Sequence, residues 1–236
     1  MATTHVQQLP AMMELGPKGK KVATYARDWP GLERGAKTPE AALERLALYI
    51  PRYTPIAATA GLTHDYAAAT AGATAGAIDV VEEYTGPGST DFWGISFGMC
   101  SHDHALVTEA ELERELALLQ SCWAFFDGVR SRVSPEMRKG PRGGGRDRDR
   151  IVKHTLYCEA DWAKGLGLTV PFESVDTPEG LAEHRTNYLA AFRAHHAEGT
   201  KAGKKSTLRY LIRHSAYHML DHAWEMEDKD LTGEQA

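Results

Sequence analysis

Cysteine is scarce in this chain: Cys100, Cys122 and Cys158 are the three among 236 residues. An odd count without framework spacing argues against a disulfide scaffold and for a reduced, cytoplasmic setting. Long apolar runs are missing too. No stretch approaches the ~20 residues of a membrane span, and the opening MATTHVQQLPAMMELGPKGKK has no signal-peptide core. Excess positive charge is also absent. With 27 Lys and Arg against 32 Asp and Glu the formal charge is -5, which gives no overall attraction to nucleic acid or to an anionic membrane. The basic cluster between Arg138 and Arg150 is local and interleaved with Asp147 and Asp149. Within it, Gly143-Gly-Gly145 could offer free N–H groups to an anion ahead of a helix. It lacks the spacing of a phosphate loop or a dinucleotide fingerprint, so a flexible loop is the default reading.

What is present divides by texture. The length suits one large or two small domains with a sizeable core. Residues 1–19 read as a loose lead-in, and residues 20–95 as a small α+β module of two or three strands and one helix. Lys21–Gly31 is a strand-like run closed by Pro30-Gly31. Thr38-Pro39-Glu40 opens a helix with a cap and a Pro at its first position. Ala42, Leu43, Leu46, Ile50 and Tyr53 continue it at helical spacing. The Ala/Thr/Gly stretch 63–76 fits neither period, and Ile78–Tyr84 reads as a strand. From about residue 106 to 230 the pattern is helical four times over. Leu112, Leu116, Leu119, Trp123 and Phe126 mark the first stripe. Ile151, Cys158 and Trp162 mark the second, Leu181, Tyr188, Leu189 and Phe192 the third. Four helices on short connections argue for a bundle, and facing helices of a bundle can build metal sites.

The last helix carries His214, His218 and His222, one turn apart. Imidazoles at i and i+4 can close on one metal ion. At roughly 100° per residue, His222 lies about 40° and His218 about 80° from the apolar centre through Leu208, Ile212, Ser215, Met219 and Met226. His214 lies about 120° away, which points it to solvent or to a neighbouring helix. The best third ligand is His154, about 60° from the Ile151/Cys158/Trp162 face. A bare His-x-x-x-His also occurs as ordinary hydrogen-bonded histidines. His102 and His104 read as a solvated linker, and His195 and His196 as a helix end whose dipole favours positive charge. Cys158 reads as a small apolar residue before it reads as a ligand or thiolate. Trp29 and Trp224 read as packing.

The order of these features (helix, loop, a helix carrying Lys153-His154, another helix, then His-x3-His-x3-His) resembles the DinB-like superfamily of metal-binding four-helix bundles. That superfamily includes YfiT-like hydrolases and the mycothiol- and bacillithiol-dependent enzymes. The resemblance covers about residues 108 to 229. It implies a mainly α fold, an antiparallel four-helix bundle preceded by the small α+β module. It also implies a divalent metal (zinc first; nickel, iron or manganese as alternatives) on His154, His218 and His222 with one open position. A metal-dependent hydrolase, or a transferase or isomerase using a low-molecular-weight thiol, is then expected. Asp221 and Glu225 are candidates to orient ligand imidazoles or act as general base, and Glu159 is a further catalytic candidate. Arg150 or Arg213 could hold a carboxylate. The chain departs from the family at His222-Ala-Trp-Glu225, where many members carry Gly two residues after the last ligand. The likeness therefore carries the fold and not one member's substrate. More weakly, Asp28-Trp-Pro-Gly31 and Thr38-Pro-Glu-Ala41 are similar to HicB-like domains, without a basic DNA-binding segment. The expected partner is a small-molecule substrate, with no nucleic acid and no membrane, and a homodimer is allowed. The alternative is a binding or regulatory module with a structural metal, its N-terminal part recruiting a partner.

Overall fold

Leu9, Ala11, Met12 and Met13 are almost wholly buried, so the first half of the chain is built around a segment that reads as a loose lead-in. In the computed structural model, which describes residues 8–140, 145–199 and 206–234, they belong to strand β1 (Leu9–Leu15). Residues 1–7 of the expected lead-in lie outside the described residues. The lead-in expectation is corrected from Leu9 onward. LPAMMEL is apolar on both faces, so it shows no alternation, yet a strand covered on both sides needs none.

The chain divides into two units, Met1–Leu106 and Val107–Ala236. In the first, β1 pairs antiparallel with β2 (Val22–Ala26), which pairs antiparallel with β3 (Glu33–Ala36). On its other side β1 takes β4 (Ile78–Thr85) in parallel, giving the order β3-β2-β1-β4. A parallel neighbour requires a crossover, and α1 (Pro39–Thr59) with α2 (Thr63–Ala69) lies between β3 and β4 in the chain. Thr38 caps α1 by accepting from Ala41 N, with Pro39 in its first turn. The helix continues through Pro51 and Pro55. Each removes an N–H donor, so the buried face of Ala42, Leu46, Ile50, Tyr53 and Ile56 must hold it together. Trp29, in the Pro-Gly turn, packs edge-on to Tyr66 at 4.7 Å. Its role is packing, and so is that of Trp224 in the second unit, which is fully buried. Two short helices complete the unit, α3 (Gly88–Trp93) and α4 (Ser101–His104). The buried Glu14 carboxylate accepts from Phe97 N at 3.0 Å and Gly98 N at 2.8 Å. A Cβ at Gly86 would stand 2.0 Å from that carboxylate, which is why the position is glycine.

The second unit holds four long helices: α5 (Glu109–Arg132), α6 (Arg148–Trp162), α7 (Pro178–Ala197) and α8 (Leu208–Lys229). Each begins at a capping side chain: Thr108, Asp147, Thr177 and Thr207. The stripe Leu112, Leu116, Leu119, Trp123 and Phe126 is buried as its spacing predicts. Helix α8 packs on α5 and α6, and α5 also meets α7. On α6 the inner face is not Ile151, Cys158 and Trp162. It is Ile151, Thr155, Leu156, Glu159 and Ala160, with Cys158 and Trp162 only partly covered. Thr155 and Glu159 can be buried because the Thr155 hydroxyl donates to Ile151 O and Glu159 accepts from Trp123 Nε1. Among the described residues no helix is long and apolar enough to cross a membrane. All three cysteines are free thiols.

Asp230 fastens the end of α8 to the end of α5. Its Oδ1 accepts from Ser134 N at 2.8 Å and from Thr232 N at 3.1 Å. The Ser134 hydrogen bond leads the causes that hold its pKa down at about 2. A carboxylate held below its unfolded value stabilises above that value and loses its contribution as pH falls through the folded pKa. Asp230→Asn should therefore cost about 1 kcal/mol at neutral pH. The difference in melting temperature from wild type should close as pH falls from 5 to 2. A gap of constant size across that range would show that the charge is not what Asp230 contributes.

Candidate metal centre

His218 and His222 are neighbours on one face of α8 because they are one turn apart. Helix α6, packed on α8, brings His154 to them. The ring centroids lie 5.1 Å (His154–His218), 5.0 Å (His154–His222) and 4.5 Å (His218–His222) apart. One ring nitrogen from each of the three comes within 4.8 Å of the others, a grouping that can hold a metal ion. The Nε2 atoms of His218 and His222 are 3.2 Å apart. Two nitrogens bound tetrahedrally at ~2.05 Å would stand about 3.3 Å apart, so this pair already has the separation of a chelate. His222 is buried, His218 partly so, and His154 is exposed at the open side.

The hydrogen bonds around the rings fix which nitrogens are free. His222 Nδ1 donates to Glu225 Oε2 at 2.7 Å, and the other oxygen of Glu225 accepts from Lys229 Nζ at 2.7 Å. With Nδ1 donating to Glu225, His222 turns its Nε2 toward His218 and the cluster. Burial, then the neighbouring His222 and Arg146, push the His154 pKa down to about 4 against the opposing pull of Glu225. Burial pushes His218 well below the ordinary histidine range, and its histidine neighbours add to that. Both are neutral at pH 7, the form a metal needs. Burial alone would raise Glu225, but the bonds from His222 and Lys229 outweigh it and keep the carboxylate ionised. Cys158 Sγ lies 3.7 Å from His154 Nδ1, and burial pushes its thiol up, which keeps it protonated. His218 Nδ1 is buried without a hydrogen-bond partner, the kind of orphan that collects at functional sites.

Of the residues expected at a site, the structure brings together His154, His218, His222 and Glu225. Asp221 is partly exposed and lies outside the group of three. Glu159 lies elsewhere. It is fully buried, accepts from Trp123 Nε1, and has His184 Nε2 at 3.3 Å and Arg185 Nε at 4.0 Å. The reason is helical geometry, since five residues past His154 is a turn of about 140°. His214 is outside the group as expected, but packed rather than wet. It is 7% exposed, stacked on Tyr210 and 4.6 Å from the Trp162 ring. Arg150 is exposed beside Asp147, and Arg213 is buried over the Tyr210 ring. His195 and His196 bond the carbonyls of Leu166 and Val107. His102 and His104 fall on α4. Gly143 and Gly144 lie outside the described residues.

Sequence reasoning missed Lys229, Arg146 and His184. Lys229 was detectable as the i+4 partner of Glu225. His184 stands on the stripe of Leu181 and Tyr188, where a polar residue calls for a partner. Arg146 had no signal, because a loop residue has no periodicity to place it. Comparison with protein-family models, curated proteins and solved structures returns no match.

Proposed function

We propose that Val107–Ala236 is an antiparallel four-helix bundle of the DinB-like kind that holds one divalent ion on His154, His218 and His222. The protein acts as a metal-dependent hydrolase, or as a transferase or isomerase using a low-molecular-weight thiol, in a reduced cytoplasmic setting. The observation that carries this reading is the clamp on His222: Glu225, held by Lys229, leaves its Nε2 facing His218 Nε2 at 3.2 Å. An ordinary pair of hydrogen-bonded histidines needs no such tautomer control. When bound, the ion supplies Lewis acidity that polarises a substrate oxygen or acidifies a water or thiol. The chain's own residues do the rest. Glu225 fixes the orientation of His222, and Lys229 keeps Glu225 from turning away. Exposed His154 marks the side from which a small substrate enters. Three protein ligands leave a position open, which is the pattern of catalytic rather than structural sites.

The rival reading, a partner-binding module with a structural metal, draws on the N-terminal unit, where Phe92 and Trp93 are 67% and 61% exposed and pack on each other. On that reading this HicB-like unit would recruit the partner. Chelation separates the two. A bundle held by its buried Leu, Trp and Phe stripe should keep its helical circular dichroism at 25 °C after metal removal, and its melting temperature should fall only modestly. Turnover of thiol or ester substrates should vanish. Cooperative unfolding on chelation would favour the structural ion, because its binding free energy would then be folding free energy.

A further inference from the structure

Arg146 is a charged side chain at this site that the clamp does not use. It stands just before the Asp147 cap of α6, with Nη2 3.9 Å from Glu225 Oε2, beyond hydrogen-bond reach. Each oxygen of Glu225 already has a donor at 2.7 Å, His222 Nδ1 on one and Lys229 Nζ on the other. The Arg146 side chain is 36% exposed, so its fork of donors is accessible. At the other end of α6, partly exposed Trp162 sets its ring 4.9 Å from that of His218. Along the chain, His154 thus lies between Arg146, just before α6, and Trp162 at its end.

Resting on the three-histidine reading above, the Arg146 fork meets no Glu225 oxygen that lacks a donor and is open to a group entering beside the histidines. We propose that Arg146 binds an oxyanion, a carboxylate or a phosphate, on a small substrate at the three-histidine site. A planar guanidinium matches such a group with two parallel hydrogen bonds, which a lysine cannot reproduce. This assigns to Arg146 the carboxylate-holding role that the sequence offered to Arg150 or Arg213.

Zinc-reconstituted full-length protein, wild type and Arg146→Gln, should be titrated calorimetrically with benzoate, phenyl phosphate and benzamide after its zinc content has been measured. One zinc per chain is expected in both proteins. Wild type should bind at least one of the two anions about tenfold or more tighter than Arg146→Gln does, and should bind neutral benzamide no better than the variant. Arg146→Lys should fall between them. Whichever anion binds tighter identifies the group. A wild type that takes up no zinc sinks the metal reading itself. Zinc-loaded wild type that binds neither anion, or binds both as weakly as Arg146→Gln, overturns the anion assignment alone. Loss of zinc from Arg146→Gln also overturns it, because Arg146 would then support the ligands rather than bind substrate.

Discussion

His218→Ala should abolish stable metal binding, and His214→Ala should not, although both lie one turn from another histidine on α8. The distinction rests on where each ring goes. His218 Nε2 faces His222 Nε2 at 3.2 Å and its ring is 5.1 Å from that of His154. His214 instead stacks on Tyr210 and leans on Trp162. Changing a residue that only orients a ligand typically costs 10–100-fold in metal affinity, so removing a ligand should cost more than about 100-fold. His214→Ala removes a buried ring and should lower stability by about 1–3 kcal/mol while zinc affinity stays within a few-fold of wild type. A competition titration against a chelating indicator measures both. Equal loss of affinity in the two variants would mean that the pair had been wrongly chosen.

Glu159→Ala should be the most destabilising single change among the acidic residues of the second unit, and it should leave the metal in place. Its carboxylate lies on α6 between Trp123 of α5 and His184 and Arg185 of α7. Asp127 also holds Arg185, so that guanidinium keeps a partner when Glu159 is lost. Trp123 Nε1 and His184 are left buried without their carboxylate. Removing one member of a buried charged cluster costs about 3–5 kcal/mol, which for a unit of this size lowers the melting temperature by roughly 10 °C or more. Glu159→Gln keeps an acceptor for the tryptophan and should lose less. Zinc stoichiometry should be unchanged in both. A Glu159→Ala protein with wild-type stability but no turnover would place Glu159 back in the chemistry.

The contrast between Glu159 and Glu225 shows what a sequence can reveal about a site. Glu225 is three residues from His222 on the same helix, and that spacing puts them side by side whatever else the fold does. Glu159 and His154 share a helix too, but whether Glu159 meets water or core depends on where α5 and α7 lie. Cys158 and Trp162 read as inward because they are apolar; Glu159 takes that face because Trp123, His184 and Arg185 meet it there, and Thr155 can because its hydroxyl donates to Ile151 O within the helix. Tertiary pairing of this kind leaves no trace in periodicity. The helices themselves are legible, since caps and stripes are local: Thr38-Pro39 and Thr177-Pro178 open helices, and the Leu112–Phe126 stripe lies on one. Strand β1 is not, because a segment buried on both faces shows no alternation to read. The sheet's edge strand β4, with its alternating burial, is.

One ion bound by three side chains is what the proposed function requires. A crystal of the zinc-reconstituted protein, measured on both sides of the zinc absorption edge, locates that atom directly. The expected map has a single anomalous peak within about 2.0–2.2 Å of one ring nitrogen each from His154, His218 and His222. His222 should bind through Nε2, with Glu225 still on its Nδ1 and no fourth protein ligand. A peak closed by a fourth side chain would make the ion structural. Zinc bound at other residues, with the three histidines left bare, would contradict the account outright.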